Sequence, residues 1–164
     1  MKPAHLLTAF ALAAMLSACG GPSDKKVGGF SNDLLGNEIA IEALRDPSLP
    51  NVVCHVAYFN RSFLDRVRQG NWFENPSNSA VSCQRTGPID LAGVSLSDSG
   101  EEIFSQKQSL LFKRMALRRV VDTKNHTILY IAHSRELIEG SAKIAMSSVA
   151  LTDQEAAEAQ KKTR

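Results

Sequence analysis

The residues best placed to do chemistry stand near the start of the chain, in Leu16-Ser17-Ala18-Cys19. Lys2 supplies a positive start, Leu6–Leu16 an apolar run, and Ser17-Ala18 the small residues that precede a signal-peptide cut. The run is shorter than the roughly 20 residues a membrane-spanning helix needs. This arrangement is a lipobox: the expectation is cleavage after Ala18 and acylation of the Cys19 thiol. Two or more acyl chains make a stable membrane anchor.

With Cys19 assigned to lipid, Cys54 and Cys83 remain. An exported chain meets an oxidising compartment, where such a pair normally forms a disulfide. Closing that loop would contribute roughly 3.5 kcal/mol by the chain-entropy relation. The rival is a redox-active or metal-binding pair, but there is no C-x-x-C and no histidine at zinc-finger spacing. His55 points to the opposite strand face from Cys54, and His126 and His133 lie at opposite ends of one strand pattern. No metal site and no cofactor are expected from these residues.

Nucleophile motifs are missing too. There is no G-x-S-x-G, S-x-x-K, H-E-x-x-H or Gly-rich phosphate loop. Ser141 follows Gly140 without a second glycine, and the adjacent Glu101 and Glu102 face opposite ways in a strand. No catalytic residue is expected; a hydrolase or thiol-redox protein using Ser141, His133, Asp122 or the cysteines, assembled only in the fold, is the alternative. One charged constellation stands out: Lys107, Lys113, Arg114, Arg118 and Arg119, interleaved with Leu, Phe and Met. It is either a solvated edge that deters strand aggregation or a strip for anionic headgroups or an acidic partner. The formal charge of +2 gives no case for nucleic acid.

The elements that must position these residues are mostly strands. Residues 19–33 are rich in Gly, Ser and charge and read as a lipidated N-terminus and flexible tether. Glu38–Leu44 alternates weakly, as a strand or a helical turn, and Val52–Phe59 is a central strand, apolar on both faces. Arg61–Gln69 has Phe63, Leu64 and Val67 at helical spacing and ends at Gly70. Asn71–Asn78 is a loop carrying Trp72 and Phe73, expected to tuck onto the core, and Ala80–Gln84 is a short strand. Leu110–Val121 and Thr127–His133 are strands joined by the turn Asp122-Thr123-Lys124-Asn125, and Ala142–Leu151 is a last strand. Thr152–Arg164 is charged and Ala-rich without an apolar face, a frayed helix or disordered tail.

The fold class is therefore mainly β (β-rich α+β): a single antiparallel β-sheet or sandwich-like domain with one or two short helices, stapled by a disulfide. The organisation is signal peptide 1–18, tether 19–33, domain 34–151 and charged tail 152–164.

Several blocks, in order, resemble the CreA family of exported bacterial proteins. They are A-I-E-A-L-R-D-P with N-V-V-C, A-V-S-C-Q-R-T-G-P-I, S-L-L-F-K-R, R-V-V-D, L-Y-I-A-H-S and E-G-S-A-K. The resemblance runs from about Val27 to Val149 and implies one periplasmic-type domain with Cys54 and Cys83 as its matching cysteines. It supplies no catalytic residue, cofactor or substrate. The chain departs from the family's plain cleavable signal by its lipobox, and Arg61–Asn78 lacks a glycine-rich character. By resemblance to bacterial lipoproteins, Gly20 after Cys19 favours the outer membrane. The expected product is an envelope lipoprotein facing the periplasm, a non-catalytic module that binds an envelope protein or a small ligand.

Overall fold

The computed structural model describes residues 25–69, 79–104, 115–135 and 142–162. Among these residues, two four-stranded antiparallel sheets carry the fold. The first orders β1 (Lys25–Ser31), β2 (Glu38–Arg45), β3 (Val52–Asn60) and β4 (Ser79–Arg85). The second orders β5 (Glu101–Glu102), β6 (Met115–Asp122), β7 (Thr127–Ser134) and β8 (Ile144–Ala150). Helix α1 (Phe63–Gln69) follows β3, and α2 (Asp153–Lys162) follows β8. The fold is thus mostly antiparallel β, with β3 an inner strand as its two apolar faces require.

Period-two alternation sends one side of each sheet to a shared core. Leu44, Cys54, Val56 and Cys83 come from the first sheet; Leu117, Ile128, Tyr130 and Val149 come from the second. The edge strands β4 and β8 run close together. There the Cys83 amide donates to Ser147 Oγ at 2.8 Å and Arg85 Nη1 donates to the Ala150 carbonyl at 3.2 Å. Both sheets therefore close on one core at this seam.

The strand at the N-terminal end lies in the stretch read as tether. Residues 25–31 pair with β2 from Lys25↔Ala43 to Ser31↔Glu38, with an irregularity between Lys26 and Gly28. Backbone pairing needs no apolar alternation, so a Gly-rich edge strand gave no period to read. The C-terminal stretch read as a frayed helix or tail is a capped helix. The Thr152 amide donates to Glu155 Oε2 at 2.8 Å and the Glu155 amide to Thr152 Oγ1 at 3.3 Å, a reciprocal capping box. Its buried face is made of Ala156 and Ala159, too small to register as an apolar stripe.

Two turns fix how β5, β6 and β7 meet. Between β6 and β7, Asp122 Oδ1 accepts the Asn125 amide at 3.1 Å and Oδ2 accepts Asn125 Nδ2 at 2.6 Å. His126 closes that hairpin at φ 51. Ahead of β5, Gly100 has φ +64, and a Cβ there would lie 2.3 Å from the Arg119 carbonyl oxygen. Only glycine fits so close to a neighbouring strand's backbone.

Candidate binding cleft

A concavity is built where the β2–β3 turn meets the segment after β4. Ser48, Leu49 and Asn51 form one wall and Pro88, Ile89 and Asp90 the other, enclosing about 210 Å³. Asn51 ties the walls together: its Nδ2 donates to the Pro88 carbonyl at 2.7 Å, and its own carbonyl accepts the Thr86 amide at 2.8 Å.

The first wall rests on a buried charge cluster. Asp46 Oδ1 accepts the Ser48 amide at 2.9 Å and the Leu49 amide at 3.2 Å, shaping the turn. The same oxygen takes Arg119 Nη1 at 2.5 Å, and Oδ2 takes the Tyr130 hydroxyl at 2.8 Å. Arg119 Nη2 continues to Glu101 Oε2 at 2.7 Å. Arg119 is 1% exposed and Tyr130 0%. Burial, then the Asp46 carboxylate beside it, pushes the Tyr130 phenol well above its ordinary range. Tyr130 is therefore fixed as a hydrogen-bond donor. Arg119 Nε is buried and meets no partner among the described residues, so the guanidinium is held through its two Nη atoms alone.

The second wall rests on α2. Glu155 Oε1 accepts the Ile89 amide at 2.7 Å and Arg85 Nη2 at 2.7 Å, and Oε2 accepts Arg85 Nη1 at 3.1 Å. Partial burial raises the Glu155 carboxyl, but Arg85 and the Thr152 and Ile89 amides outweigh it and hold the group down at about 2. Both walls are thus set by charges that are already hydrogen-bonded. The cleft is lined by Ser48, Asn51, Asp90 and Ala92 beside Leu49 and Ile89, with Asn51 Nδ2 bonded to the Pro88 carbonyl and Asp90 Oδ1 to the Ala92 amide, each at 2.7 Å.

The other residues singled out in the sequence lie apart from the cleft. Cys54 and Cys83 are bonded to each other and sit directly opposite in the β3–β4 register. They are 1% and 8% exposed, inside the core. Arg118 and Arg119 do not belong to one anionic-partner strip. Neighbours on β6 face opposite ways, so Arg119 enters the core while Arg118 Nη1 donates to the Ser99 carbonyl at 2.7 Å. Lys107, Lys113 and Arg114, like Cys19, Trp72, Phe73 and Ser141, lie outside the described residues. His126 Nδ1 meets Asp153 Oδ1 at 2.9 Å on the surface, and His133 Nδ1 contacts the Ser134 carbonyl at 3.1 Å. Among the described residues no group of three His, Cys, Asp or Glu side chains is placed to hold a metal ion. Glu101 and Glu102 do face opposite ways, Glu101 toward Arg119 and Glu102 toward Arg135.

Asp46, Tyr130, Arg85 and Glu155 went unread in the sequence. Two signals were there. Arg119 alternates with Leu117 and Val121, which places a charge on a core-facing strand side. Thr152-Asp153-Gln154-Glu155 has the capping-box spacing.

The comparison with known proteins decides the family. A family model described as CreA protein matches residues 27–154. The chain belongs to the CreA family. It is similar to Protein CreA of Escherichia coli (strain K12), 35% identical over 116 residues, covering 69% of this chain and 72% of the relative. Protein CreA of Escherichia coli O157:H7 matches with the same identity and coverage. No solved structure matches the chain. The CreA match begins within β1 and ends within the first turn of α2. Glu155 and the buried alanines of α2 therefore lie just past its limit.

Proposed function

We propose that this CreA-family chain is an envelope-anchored, periplasm-facing lipoprotein of the outer membrane that acts as a non-catalytic binding module. The observation that carries the binding part is the cleft at the β2–β3 turn. Its walls are fixed in advance by Asp46 with Arg119 and by Glu155 with Arg85, so a ligand would meet a preformed surface. Preformed sites bind without an ordering cost. Pockets for larger organic ligands run to roughly 300–1,000 Å³, so a cleft of about 210 Å³ suits a small polar ligand or one side chain of an envelope protein. The anchoring part rests on the lipobox Leu16–Cys19 followed by Gly20.

A thiol-redox role fits the geometry poorly, because both sulfurs are buried away from a soluble exchange partner. The test of binding is thermal unfolding of the full-length protein against a panel of amino acids, sugars and short peptides. A true ligand at about 100 times its Kd stabilises by roughly 2.7 kcal/mol. The stabilisation should vanish in Ala92→Trp, which adds bulk at a residue lining the cleft. A ligand that stabilises Ala92→Trp equally well contradicts the assignment of the cleft.

A further inference from the structure

The large apolar side chains that stand more than half exposed among the described residues are not scattered. Val27, Phe30, Leu34, Phe63, Leu64 and Val67 follow one another along β1, the turn after it and α1. The other two, Ile144 and Met146, lie on β8. That strand runs beside β4, three strands away from β1 across the first sheet. The end of β1, the Leu34 turn and the start of α1 lie at one end of the first sheet, where Ser31, Glu38 and Asn60 are in register and Ser62 bonds the Leu35 carbonyl. Exposed apolar side chains gathered there mark an interaction site.

The stripe is held in shape by polar groups of the same stretch. Asp33 Oδ1 accepts the Leu35 and Asn37 amides at 2.8 and 3.2 Å, and its Oδ2 accepts Asn37 Nδ2 at 2.7 Å. Asn37 Oδ1 takes the Ser62 amide at 2.9 Å, and Ser62 Oγ donates to the Leu35 carbonyl at 2.6 Å. Buried Asp65 receives Asn37 Nδ2 at 3.3 Å and pairs with Arg61 at 3.0 Å. This network locks the Leu34 turn to α1 while leaving Leu34 and Leu64 pointing outward. It also draws the carboxylates of Asp33 and Asp65 into internal bonds. Glu38 is matched by Lys26 at 2.9 Å and Asp65 by Arg61, so Arg66 and Arg68 in the last turn of α1 outnumber the one remaining carboxylate, Asp33, and leave the stripe net positive.

We infer that this stripe lies on an anionic phospholipid surface, so that the domain rests side-on against the membrane. The inference rests on the proposed lipid anchor. The stripe starts at β1, and the stretch from Cys19 to Lys25 reaches roughly 20 Å at most even fully extended. An acylated Cys19 therefore keeps β1, and the apolar residues that continue from it, next to the bilayer. Exposed leucine and phenylalanine beside arginine is the composition of interfacial surfaces that embed shallowly and attract acidic headgroups. A second copy of the chain is the poorer occupant, since apposed stripes would bring arginine against arginine.

The experiment uses the full-length protein on vesicles of phosphatidylcholine with 30 mol% phosphatidylglycerol, the composition being chosen as about that of a moderately anionic leaflet. Leu34→Cys, Leu64→Cys and, as the far-side control, Ile144→Cys each carry an environment-sensitive fluorophore. Lipid-borne spin labels should quench the probes at 34 and 64 and spare the one at 144. Reversing Arg66 and Arg68 to glutamate should weaken that quenching by at least about fivefold per lost cation, with unchanged thermal unfolding. If the chain is acylated and floats with the vesicles while probes 34 and 64 stay in water, the side-on contact is wrong and the anchor stands. If it is unacylated, flotation with probes 34 and 64 quenched still supports the stripe, and loss of flotation overturns both readings. Quenching at all three positions also overturns the orientation.

Discussion

Arg119 on β6 and Asp46 at the end of β2 meet at 2.5 Å across 73 residues of sequence, with side chains 1% and 0% exposed. The pair joins the two sheets, and the Asp46 carboxylate also shapes the turn that walls the cleft. Removing one member of a buried pair leaves the other uncompensated and costs about 3–5 kcal/mol. Asp46→Ala and Arg119→Met are each expected to lose that much in urea unfolding. Because they share one interaction, the double variant should lose clearly less than the sum of the two. Additive losses would show that the pair is not a unit.

Gly100 makes a sharper prediction because it concerns backbone alone. Its φ of +64 and the 2.3 Å approach of the Arg119 carbonyl leave no room for a methyl group. Gly100→Ala should destabilise the fold by at least about 2 kcal/mol in urea unfolding. Gly28→Ala, where a Cβ meets nothing within 4 Å, should change stability by less than about 1 kcal/mol. Equal effects at the two sites would contradict the arrangement of β5 and β6.

Glu155 predicts a pH dependence. Its carboxyl falls from the ordinary 4.5 to about 2 in the fold. A group whose folded pKa is lowered stabilises the protein above its unfolded value, and that contribution is lost as pH falls through the folded one. Stability should therefore drop between about pH 4.5 and about pH 2. Hydrogen bonds also lower Asp33, Glu38 and Asp122, which add to the same acid loss. Glu155→Gln should begin less stable at pH 7 and fall less steeply across that window, measured by thermal unfolding. An unchanged slope would mean that Glu155 does not hold the second wall as described.

The disulfide gives a fourth prediction. Cys54 and Cys83 are 29 residues apart in sequence, so opening the loop should cost about 3.5 kcal/mol on the chain-entropy relation. Cys54→Ala with Cys83→Ala should show that loss in urea unfolding, and added reductant should not destabilise the variant further. Loss of no more than about 0.5 kcal/mol would remove the bond's structural role.

Sequence patterns located the inner strand Val52–Phe59 from its run of β-branched and aromatic residues, the β6–β7 hairpin from its turn, and the last strand beyond Gly140. They did not locate β1, whose Gly28-Gly29 pairs through backbone, nor the buried face of α2, made of alanines. The site was harder to read than the fold. Arg119 looked like one more cation in a basic run, since its partners Asp46 and Glu101, and the Tyr130 that shares Asp46, come from three other parts of the chain. A pattern along one strand shows that a charge faces the core; only the packing of two sheets shows what meets it. The exposed residues of α1 illustrate the reverse case. Phe63, Leu64 and Val67 have helical spacing, but the Asn37–Ser62–Asp65 contacts turn them outward rather than into the core.

An anchored, disulfide-stapled envelope domain is tested in one step by intact-protein mass spectrometry of the membrane-extracted chain, before and after reduction. The expected mass is that of Cys19–Arg164 plus acyl groups, with a gain of two hydrogens when the Cys54–Cys83 bond is opened. An unacylated chain would refute the anchor, and two thiols already free would refute the staple.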